Sequence, residues 1–202
     1  GGDTWVKLES FSRVVAEQGW CIPVEPPMAS QARAIVTDAG NADVLWVGVE
    51  VGGIMYSDDA GATWTFTAPG GNPDLHMIFP HPTKLGVLFA STGYGRLDGV
   101  AEMVEGNAGV FRSEDFGNNW DYVWNRITPR YSRPMCIDPR APFSLTVASA
   151  PTAFSSCKDE SGAQAMLFRS DNEGRDWRSL CDKKHSPSAA NFHGLTVDPD
   201  EI

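Results

Sequence analysis

The 202-residue sequence has few cysteines, few positive charges and no long apolar run. Its four cysteines are too few for a disulfide scaffold of this length. The 16 Lys and Arg residues against 26 Asp and Glu give a formal net charge of −10, which argues against sequence-independent binding to nucleic acid or to an anionic membrane. No apolar run approaches the ~20 residues of a membrane-spanning helix. We therefore expect neither a nucleic-acid partner nor a membrane partner.

Several motifs that carry chemistry are also absent. The sequence has no Gly-rich phosphate loop and no Ser nucleophile elbow, and we expect no cofactor. His76 and His81 are five residues apart in a predicted strand, which places them on opposite faces, so we predict no metal site. Cys136 lies inside an apolar strand and is expected to be a buried thiol. Cys157 and Cys181 would pair only in an oxidising compartment.

The sequence begins with "GGDTW", without an initiating Met or a signal peptide. We interpret this start as a cut end. The sequence therefore leaves both a secreted and a cytoplasmic location open.

The most informative feature is a repeated octet, Ser-x-Asp/Asn-x-Gly-x-x-Trp, found at 57–64, 113–120 and 170–177. The composition is globular, with 42% hydrophobic and 21% charged residues. At average residue usage the four fixed positions of the octet match at roughly one site in a hundred thousand. Three regularly spaced copies are therefore a true internal repeat. Gly2 and Trp5 have the separation of a fourth, truncated copy.

Each octet lies between two β-like runs, which predicts a hairpin with an elaborate turn. The Asp or Asn side chain accepts backbone N–H groups, Gly supplies a positive φ, and the Ser hydroxyl bonds back into the loop. The Trp anchors the turn against a neighbouring unit. A repeated structural element explains these residues better than repeated catalysis or calcium binding. The residues given structural roles are Ser57, Asp59, Gly61, Trp64, Ser113, Asp115, Gly117, Trp120, Ser170, Asn172, Gly174 and Trp177.

A strand, a turn and a second strand precede each octet, so the repeated unit has four strands, A to D, with the octet between C and D. Repeated four-stranded units predict an all-β fold, a β-propeller of antiparallel blades in one domain over 1–202. We predict complete blades at about 33–68, 76–124 and 133–181, and partial blades at 1–10 and 192–202. Because a propeller closes with about four to eight blades, we expect this chain to be part of a larger ring. It is either a piece of a longer chain or completes the ring with another copy.

The octets resemble Asp-boxes, also called BNR repeats. These occur in sialidases, in related glycoside hydrolases, in sortilin-type receptors and in proteins similar to the photosystem II stability factor. The stretch "VGVEVGGIMYSDDAGATW", together with "IDPRAP", most resembles bacterial BNR-repeat proteins described as glycosyl hydrolases or sialidase-like. The resemblance implies six or seven blades in the intact ring and a site on the face opposite the boxes. Such motifs are specific for fold and not for function.

The long segments fall on that opposite face, because strand alternation puts the A–B turns and the octets together on the other one. Long loops on a rigid scaffold usually carry binding. Strand A of each blade also begins there with a cationic or imidazole group, which predicts an arc at the channel mouth that suits an anionic or polyhydroxyl ligand. The predicted ligand-binding residues are Arg33, His76, Arg133 and His193 in the arc and His185 on a long loop. The alternative is that they are ordinary strand-start residues.

Glycoside hydrolysis needs two carboxylates, or a Tyr nucleophile with a carboxylate partner in sialidase-like enzymes. Tyr131, Asp74 and Glu50 lie on the long-loop face and are the catalytic candidates. Sialidases also hold the substrate carboxylate with three Arg, and the resemblance assigns Arg33 and Arg133 to that role. The family's Arg-Ile-Pro start motif is absent here.

The alternative function is a non-catalytic propeller for protein binding or assembly, similar to the photosystem II stability factor. Such a protein needs only a rigid disc and exposed loops. Apolar loop residues would suit a partner surface, namely Trp20, Ile22, Val24 and Met28. The same residues would equally serve to cover the channel or the side of the propeller.

Overall fold

A computed structural model of the protein describes residues 3–97, 100–153, 160–198 and 200. Its main feature is three four-stranded antiparallel sheets that follow one another along the chain. One α-helix, α1 (Glu9–Gln18), and one short 3₁₀-helix (Pro69–Gly71) accompany them. In the part of the chain that is described, no helix has the length and apolar character needed to cross a membrane.

The strands are β1 (Cys21–Ile22), β2 (Met28–Ala29), β3 (Ala32–Thr37), β4 (Leu45–Val49), β5 (Gly53–Ser57), β6 (Thr65–Thr67), β7 (Leu75–Pro80), β8 (Leu88–Thr92), β9 (Gly95–Leu97), β10 (Val100–Glu102), β11 (Val110–Ser113), β12 (Asp121–Tyr122), β13 (Tyr131–Ile137), β14 (Leu145–Ala150), β15 (Met166–Ser170) and β16 (Arg178–Ser179). β1 pairs with β2 between α1 and β3, and β9 pairs with β10 between β8 and β11, each pair antiparallel.

The three large sheets are the blades of the propeller. The first blade has the order β3-β4-β5-β6, the second β7-β8-β11-β12 and the third β13-β14-β15-β16. The first strands of consecutive blades contact each other, β3 with β7 and β7 with β13, as innermost strands around one axis do. The prediction of an all-β propeller built from four-stranded antiparallel blades is confirmed. A total of six or seven blades stays a prediction.

The two ends of the chain differ from the predicted partial blades. At 1–10 no partial blade forms in the described residues, because 3–8 contain no strand and α1 begins at Glu9. The helix ends at Gly19, whose left-handed φ of 63° lets its N–H bond back to the carbonyl of Ala16. Residues 192–198 likewise hold no strand, and no described strand pairs with them. A strand needs such a partner to satisfy its backbone groups.

Apolar cores fill the spaces between consecutive blades. Trp46 lies fully buried between the first and second blades, and its indole N–H donates to the carbonyl of Phe116 at 2.9 Å. Trp124 is its counterpart between the second and third blades, with its ring centroid 5.1 Å from Phe168 and 4.7 Å from Trp177. Because buried Trp side chains remove a large apolar area from water, these contacts hold neighbouring blades together.

Helix α1 covers the free side of the first blade. Phe11 packs edge-on against Trp64, with ring centroids 5.4 Å apart, and Ser10 Oγ accepts the indole N–H of Trp64 at 3.2 Å. In the third blade Trp177 makes the corresponding bond to the carbonyl of Val123 in the second blade, at 2.7 Å. The helix therefore takes the place beside Trp64 that a preceding blade takes beside Trp177.

The octet residues share one hydrogen-bond pattern in all three turns. The Ser Oγ donates to the Asp or Asn Oδ1 at 2.8, 2.9 and 3.0 Å and accepts the Gly N–H at 2.8, 2.9 and 2.8 Å. The same Oδ1 accepts the N–H four residues later at 2.8, 2.8 and 2.9 Å. The Gly φ values are 85°, 90° and 85°, a region that L side chains rarely adopt. Polar side chains thus replace the backbone partners that such a tight turn lacks.

The cysteines are spread over different parts of the fold. Cys136 is buried in β13, and Cys21 and Cys181 are free as well. Cys157, the predicted partner of Cys181 in an oxidising compartment, lies outside the described residues.

Candidate binding cleft

A β-bulge occurs at the same place in the innermost strand of every blade. The strand register shifts between Ala32 and Ala34, between Leu75 and Met77 and between Ser132 and Met135. The residues inside these shifts include three members of the predicted arc, Arg33, His76 and Arg133. A bulge re-aims the side chain of its extra residue, so the backbone itself sets the direction of these three groups.

A cleft of about 600 Å³ opens on the long-loop face. Its walls come from all three blades and from the β1–β2 hairpin, and the lining residues are Ile22, Pro23, Val24, Glu50, Val51, Pro73, Asp74, Tyr94, Tyr131, Arg133 and Ala153. Glu50, Asp74, Tyr131 and Arg133 were predicted as site residues and lie together here. The structure adds Tyr94 to them.

Glu50 and Asp74 lie directly opposite each other in an isolated antiparallel bridge that links the first blade to the second. Residues paired in this way have neighbouring side chains. Arg33 Nε donates to Glu50 Oε2 at 2.6 Å, and its Nη2 forms an ion pair with the same oxygen. Arg33 does not line the cleft itself but acts on it through Glu50.

Asp74 is held from two sides. Its Oδ1 lies 3.4 Å from His76 Nε2, and its Oδ2 accepts the backbone N–H of Tyr94 at 2.8 Å. Burial works to raise the pKa of Asp74, but His76, the Tyr94 N–H and the charge of Arg133 outweigh it. The pKa of Asp74 therefore lies below its ordinary value, and Asp74 is a carboxylate at neutral pH.

Tyr131 forms the floor of the cleft and is only 5% exposed. Its hydroxyl accepts a hydrogen bond from Arg133 Nη2 at 3.1 Å, and the guanidinium lies 5.4 Å from the ring centroid. Its ring also contacts Tyr94 edge-on, with centroids 5.2 Å apart. Burial, together with the charge of Asp74, raises the pKa of Tyr131 to about 12. The hydroxyl is therefore neutral throughout the physiological range.

Gly93 allows these groups to come together. A Cβ atom at this position would lie 2.5 Å from Asp74 Oδ2, 2.5 Å from His76 Cε1 and 2.7 Å from Tyr131 Cε2. Any larger residue would push the Asp74, His76 and Tyr131 side chains apart.

The structure does not bring the remaining predicted residues into the cleft. His76 lies behind it, 6% exposed, with its Nδ1 bonded to the carbonyl of Ser132 at 2.7 Å. His193 is exposed and does not line the cleft. His185 is exposed in a turn, where its Nδ1 pairs with Asp182 Oδ2 at 2.8 Å.

Sequence reasoning missed Tyr94 and Gly93, although a signal for them exists. The cleft is lined by a residue from the segment after the second strand of each blade, namely Glu50 after β4, Tyr94 two positions beyond β8 and Ala153 three positions beyond β14. Comparing these three segments would have placed Gly93 and Tyr94 near Glu50. As for metals, no group of three or more His, Cys, Asp or Glu side chains that could hold an ion occurs within the described ranges.

Comparison with known proteins gives structural similarity only. No protein-family model and no curated protein matches the sequence. Among solved structures, the GH74 enzyme of Niastella koreensis has a TM-score of 0.57 at 15% identity, covering 77% of this chain and 22% of that one. An ancestral GH74 enzyme has a TM-score of 0.55 at 12% identity, covering 78% and 21%. YCF48 bound to D1 peptide has a TM-score of 0.52 at 13% identity, covering 89% and 47%.

The chain spans about a fifth of the length of the two GH74 enzymes and under half of that of YCF48. At these identities the similarity concerns the fold and leaves function open. The chain thus has the β-propeller architecture that it shares with GH74 enzymes and with YCF48.

Proposed function

We propose that the cleft binds a carbohydrate, or another polyhydroxyl or anionic polar ligand, on the face opposite the octet turns. One observation carries this proposal: Glu50, Asp74, Tyr94, Tyr131 and Arg133 come from separate strands and loops, yet all line one cleft. Its volume of about 600 Å³ suits a ligand of a few sugar rings. A set of polar and aromatic groups converging on a concave surface is typical of such sites.

The chemistry of the lining residues fits that ligand class. Carboxylate oxygens of Asp74 accept hydrogen bonds from sugar hydroxyls, while the rings of Tyr94 and Tyr131 offer apolar surface to the C–H faces of a sugar. Arg133 donates in a fork that suits a carboxylate or a pair of hydroxyls. Among the described residues its guanidinium donates to the Tyr131 hydroxyl through Nη2, which leaves other N–H groups of the guanidinium for a ligand.

The octet turns are proposed to be Asp-boxes, as in sialidase-like proteins. The support is their shared hydrogen-bond pattern and the packing of Trp64, Trp120 and Trp177 against the apolar cores of the blades. The turns lie away from the cleft, and their role is to stabilise the blades that carry it.

Hydrolysis requires reactive groups in particular protonation states, which binding alone does not require. A glycosidase needs one carboxyl group that is protonated at working pH, and a Tyr nucleophile needs a partner that removes its proton. The pKa of Asp74 is lowered and that of Tyr131 is raised to about 12, the reverse of what an acid and a nucleophile require. These two shifts argue against Asp74 as the acid and against Tyr131 as the nucleophile, so binding is proposed rather than hydrolysis through these two groups.

A sugar panel tests the proposal. We expect isothermal calorimetry to detect binding of a neutral oligosaccharide such as cellotetraose or an acidic one such as sialyllactose. Asp74→Asn and Tyr94→Ala should weaken it by about tenfold or more, because each removes a direct ligand contact. His185→Ala, in an exposed turn outside the cleft, is the matched control and should bind normally. Equal affinity in wild type and both cleft variants would contradict the proposal, and turnover of fluorogenic glycosides would show catalysis.

A second candidate function is protein binding by the β1–β2 hairpin. Ile22 and Val24 lie on the rim of the cleft, and Val24 and Met28 are 46% and 49% exposed, which is apolar surface that a partner would cover. The shared fold with YCF48 bound to D1 peptide makes that peptide a suitable probe. Fluorescence anisotropy would show binding that Val24→Asp weakens. Competition between this peptide and a bound sugar would place both in one cleft.

A further inference from the structure

Behind the cleft, His76 and Asp74 are in contact, although neither the octet repeat nor the strand pattern explains a buried imidazole there. We infer that they form a dyad sharing one proton, and that His76 is a positioning residue that keeps Asp74 charged and directed at the bound ligand. The part about the ligand rests on the proposed function of the cleft, whereas the dyad itself does not.

The first step is the orientation of the His76 ring. Its Nδ1 lies 2.7 Å from the carbonyl oxygen of Ser132 in the third blade. A carbonyl oxygen only accepts hydrogen bonds, so Nδ1 must carry a proton. The third blade therefore fixes both the direction of the ring and the state of one of its nitrogens.

The second step concerns the other nitrogen. His76 Nε2 is buried, has no hydrogen-bond partner within ordinary distance in the described structure, and faces Asp74 Oδ1 at 3.4 Å. Without a proton between them, a lone pair on Nε2 and a lone pair on Oδ1 would face each other at a buried position, which is unfavourable. One proton shared by Nε2 and Oδ1 removes that conflict.

The third step decides where this proton resides. Asp74 Oδ2 accepts the Tyr94 N–H at 2.8 Å, and the guanidinium of Arg133 is the nearby cation. Both stabilise a carboxylate, so the shared proton lies on Nε2. With Nδ1 also protonated, the dyad is an imidazolium of His76 paired with the carboxylate of Asp74.

The other groups around the dyad do not offer a competing proton. The Tyr131 ring, with its centroid 4.9 Å from that of His76, is neutral because its pKa is raised to about 12. Gly93 fills the remaining side without a side chain. Glu50, across the bridge from Asp74, is ion-paired with Arg33. If His76 were lost, Asp74 would be a buried carboxylate beside Glu50 with one partner fewer, and it would take up a proton or turn away.

The direct test is an NMR titration that needs no ligand. With ¹³C-labelled Asp and ¹⁵N-labelled His, we expect the Asp74 carboxyl of the wild type to titrate below the ordinary range, and the Nε2 signal of His76 to change at the same pH. In His76→Gln the apparent pKa of Asp74 should rise. His185→Gln is the matched control, because it removes an exposed His–Asp pair and should alter Asp182 but not Asp74.

Ligand binding supplies the second readout. His76→Gln should lower the affinity for whichever of cellotetraose or sialyllactose the wild type binds by about tenfold at neutral pH and change its pH profile, whereas His185→Gln should change neither. The inference is overturned if Asp74 titrates alike in wild type and folded His76→Gln. It is also overturned if the Nε2 signal of His76 in the wild type does not change when Asp74 is protonated. This second result needs only the wild type, so it holds even if His76→Gln does not fold. A coupled titration without any sugar binding would instead contradict only the proposed function.

Discussion

The indole N–H of Trp177 donates to the carbonyl oxygen of Val123 at 2.7 Å, across the boundary between the second and third blades. The octet turn of one blade is thereby fixed to the outer strand region of the blade before it. Trp177 also packs against Trp124, with ring centroids 4.7 Å apart. Apolar packing and a hydrogen bond therefore act at the same boundary.

Replacing Trp177 with Phe separates these two contributions. Phe keeps an aromatic ring but leaves the Val123 carbonyl without its donor, so we expect the free energy of unfolding to fall by about 1–3 kcal/mol. Urea unfolding followed by circular dichroism measures it. Trp5→Phe is the control, because Trp5 is 89% exposed and its replacement should change little. Equal unfolding midpoints for Trp177→Phe and wild type would show that the bond contributes nothing.

The charge of Asp59 in the first octet turn should affect how the stability of the protein changes at acid pH. Hydrogen bonds from the Thr63 backbone and side chain and from Ser57 lower the pKa of Asp59 to about 2. A lowered pKa in the folded state contributes stability that is present above the unfolded value and is lost as the pH falls through the folded one. For Asp59 that loss runs from about pH 4 down to about pH 2.

Asp59→Asn should therefore fold and be less sensitive to acid. Asn172 already occupies the equivalent position in the third turn, where its Oδ1 accepts the N–H of Asp176 at 2.9 Å. We expect the change in urea midpoint between pH 6 and pH 2 to be smaller in Asp59→Asn than in wild type. Asp58→Asn, one residue away, should retain the full change. The same pH dependence in both variants would argue against a role for the Asp59 charge.

The repeated octets made the blades predictable from sequence, because one turn with fixed chemistry marks the same hairpin in every blade. Helix α1 was missed although Phe11 and Val14 have the i, i+3 spacing of one helix face and both pack against the first blade. A pair this short is a weak signal beside the repeated octets. Gly2 and Trp5 have the spacing of a truncated octet, which predicted a partial blade at 1–10, but no strand forms there in the described residues.

The candidate site was predictable in part, because the repeat also fixes the direction of each strand. Glu50, Asp74, Tyr131 and Arg133 could be placed on one face from strand direction alone. The depth at which a side chain is buried could not be predicted, because it depends on the next blade. Ser132 of the third blade holds His76 behind the cleft. Tyr94 was missed because it lies in a loop after β8, and its place near Glu50 follows only when the segments after the second strand of each blade are compared.

Gly93 gives a prediction about the packing beneath the cleft. Because a Cβ there would lie 2.5 Å from both Asp74 Oδ2 and His76 Cε1, Gly93→Ala should cost about 1–3 kcal/mol of stability and weaken ligand binding. Gly194→Ala is the matched control, since a Cβ at Gly194 meets nothing within 4 Å. Thermal unfolding and calorimetry measure both effects. An unchanged Gly93→Ala protein would mean that the surrounding side chains have room to move.

Tyr131 gives a prediction at alkaline pH. Burial and the charge of Asp74 raise its pKa to about 12, whereas an unfolded Tyr ionises near 10. Between these values the folded protein binds more protons than the unfolded chain, so stability falls as the pH rises from about 10 to about 12. In Tyr131→Phe this part of the decline should disappear, together with the phenolate absorbance step near pH 12. Tyr94→Phe is the control and should keep the decline in stability and the absorbance step near pH 12. A Tyr131 absorbance step near pH 10 would show that the cleft does not shield its hydroxyl.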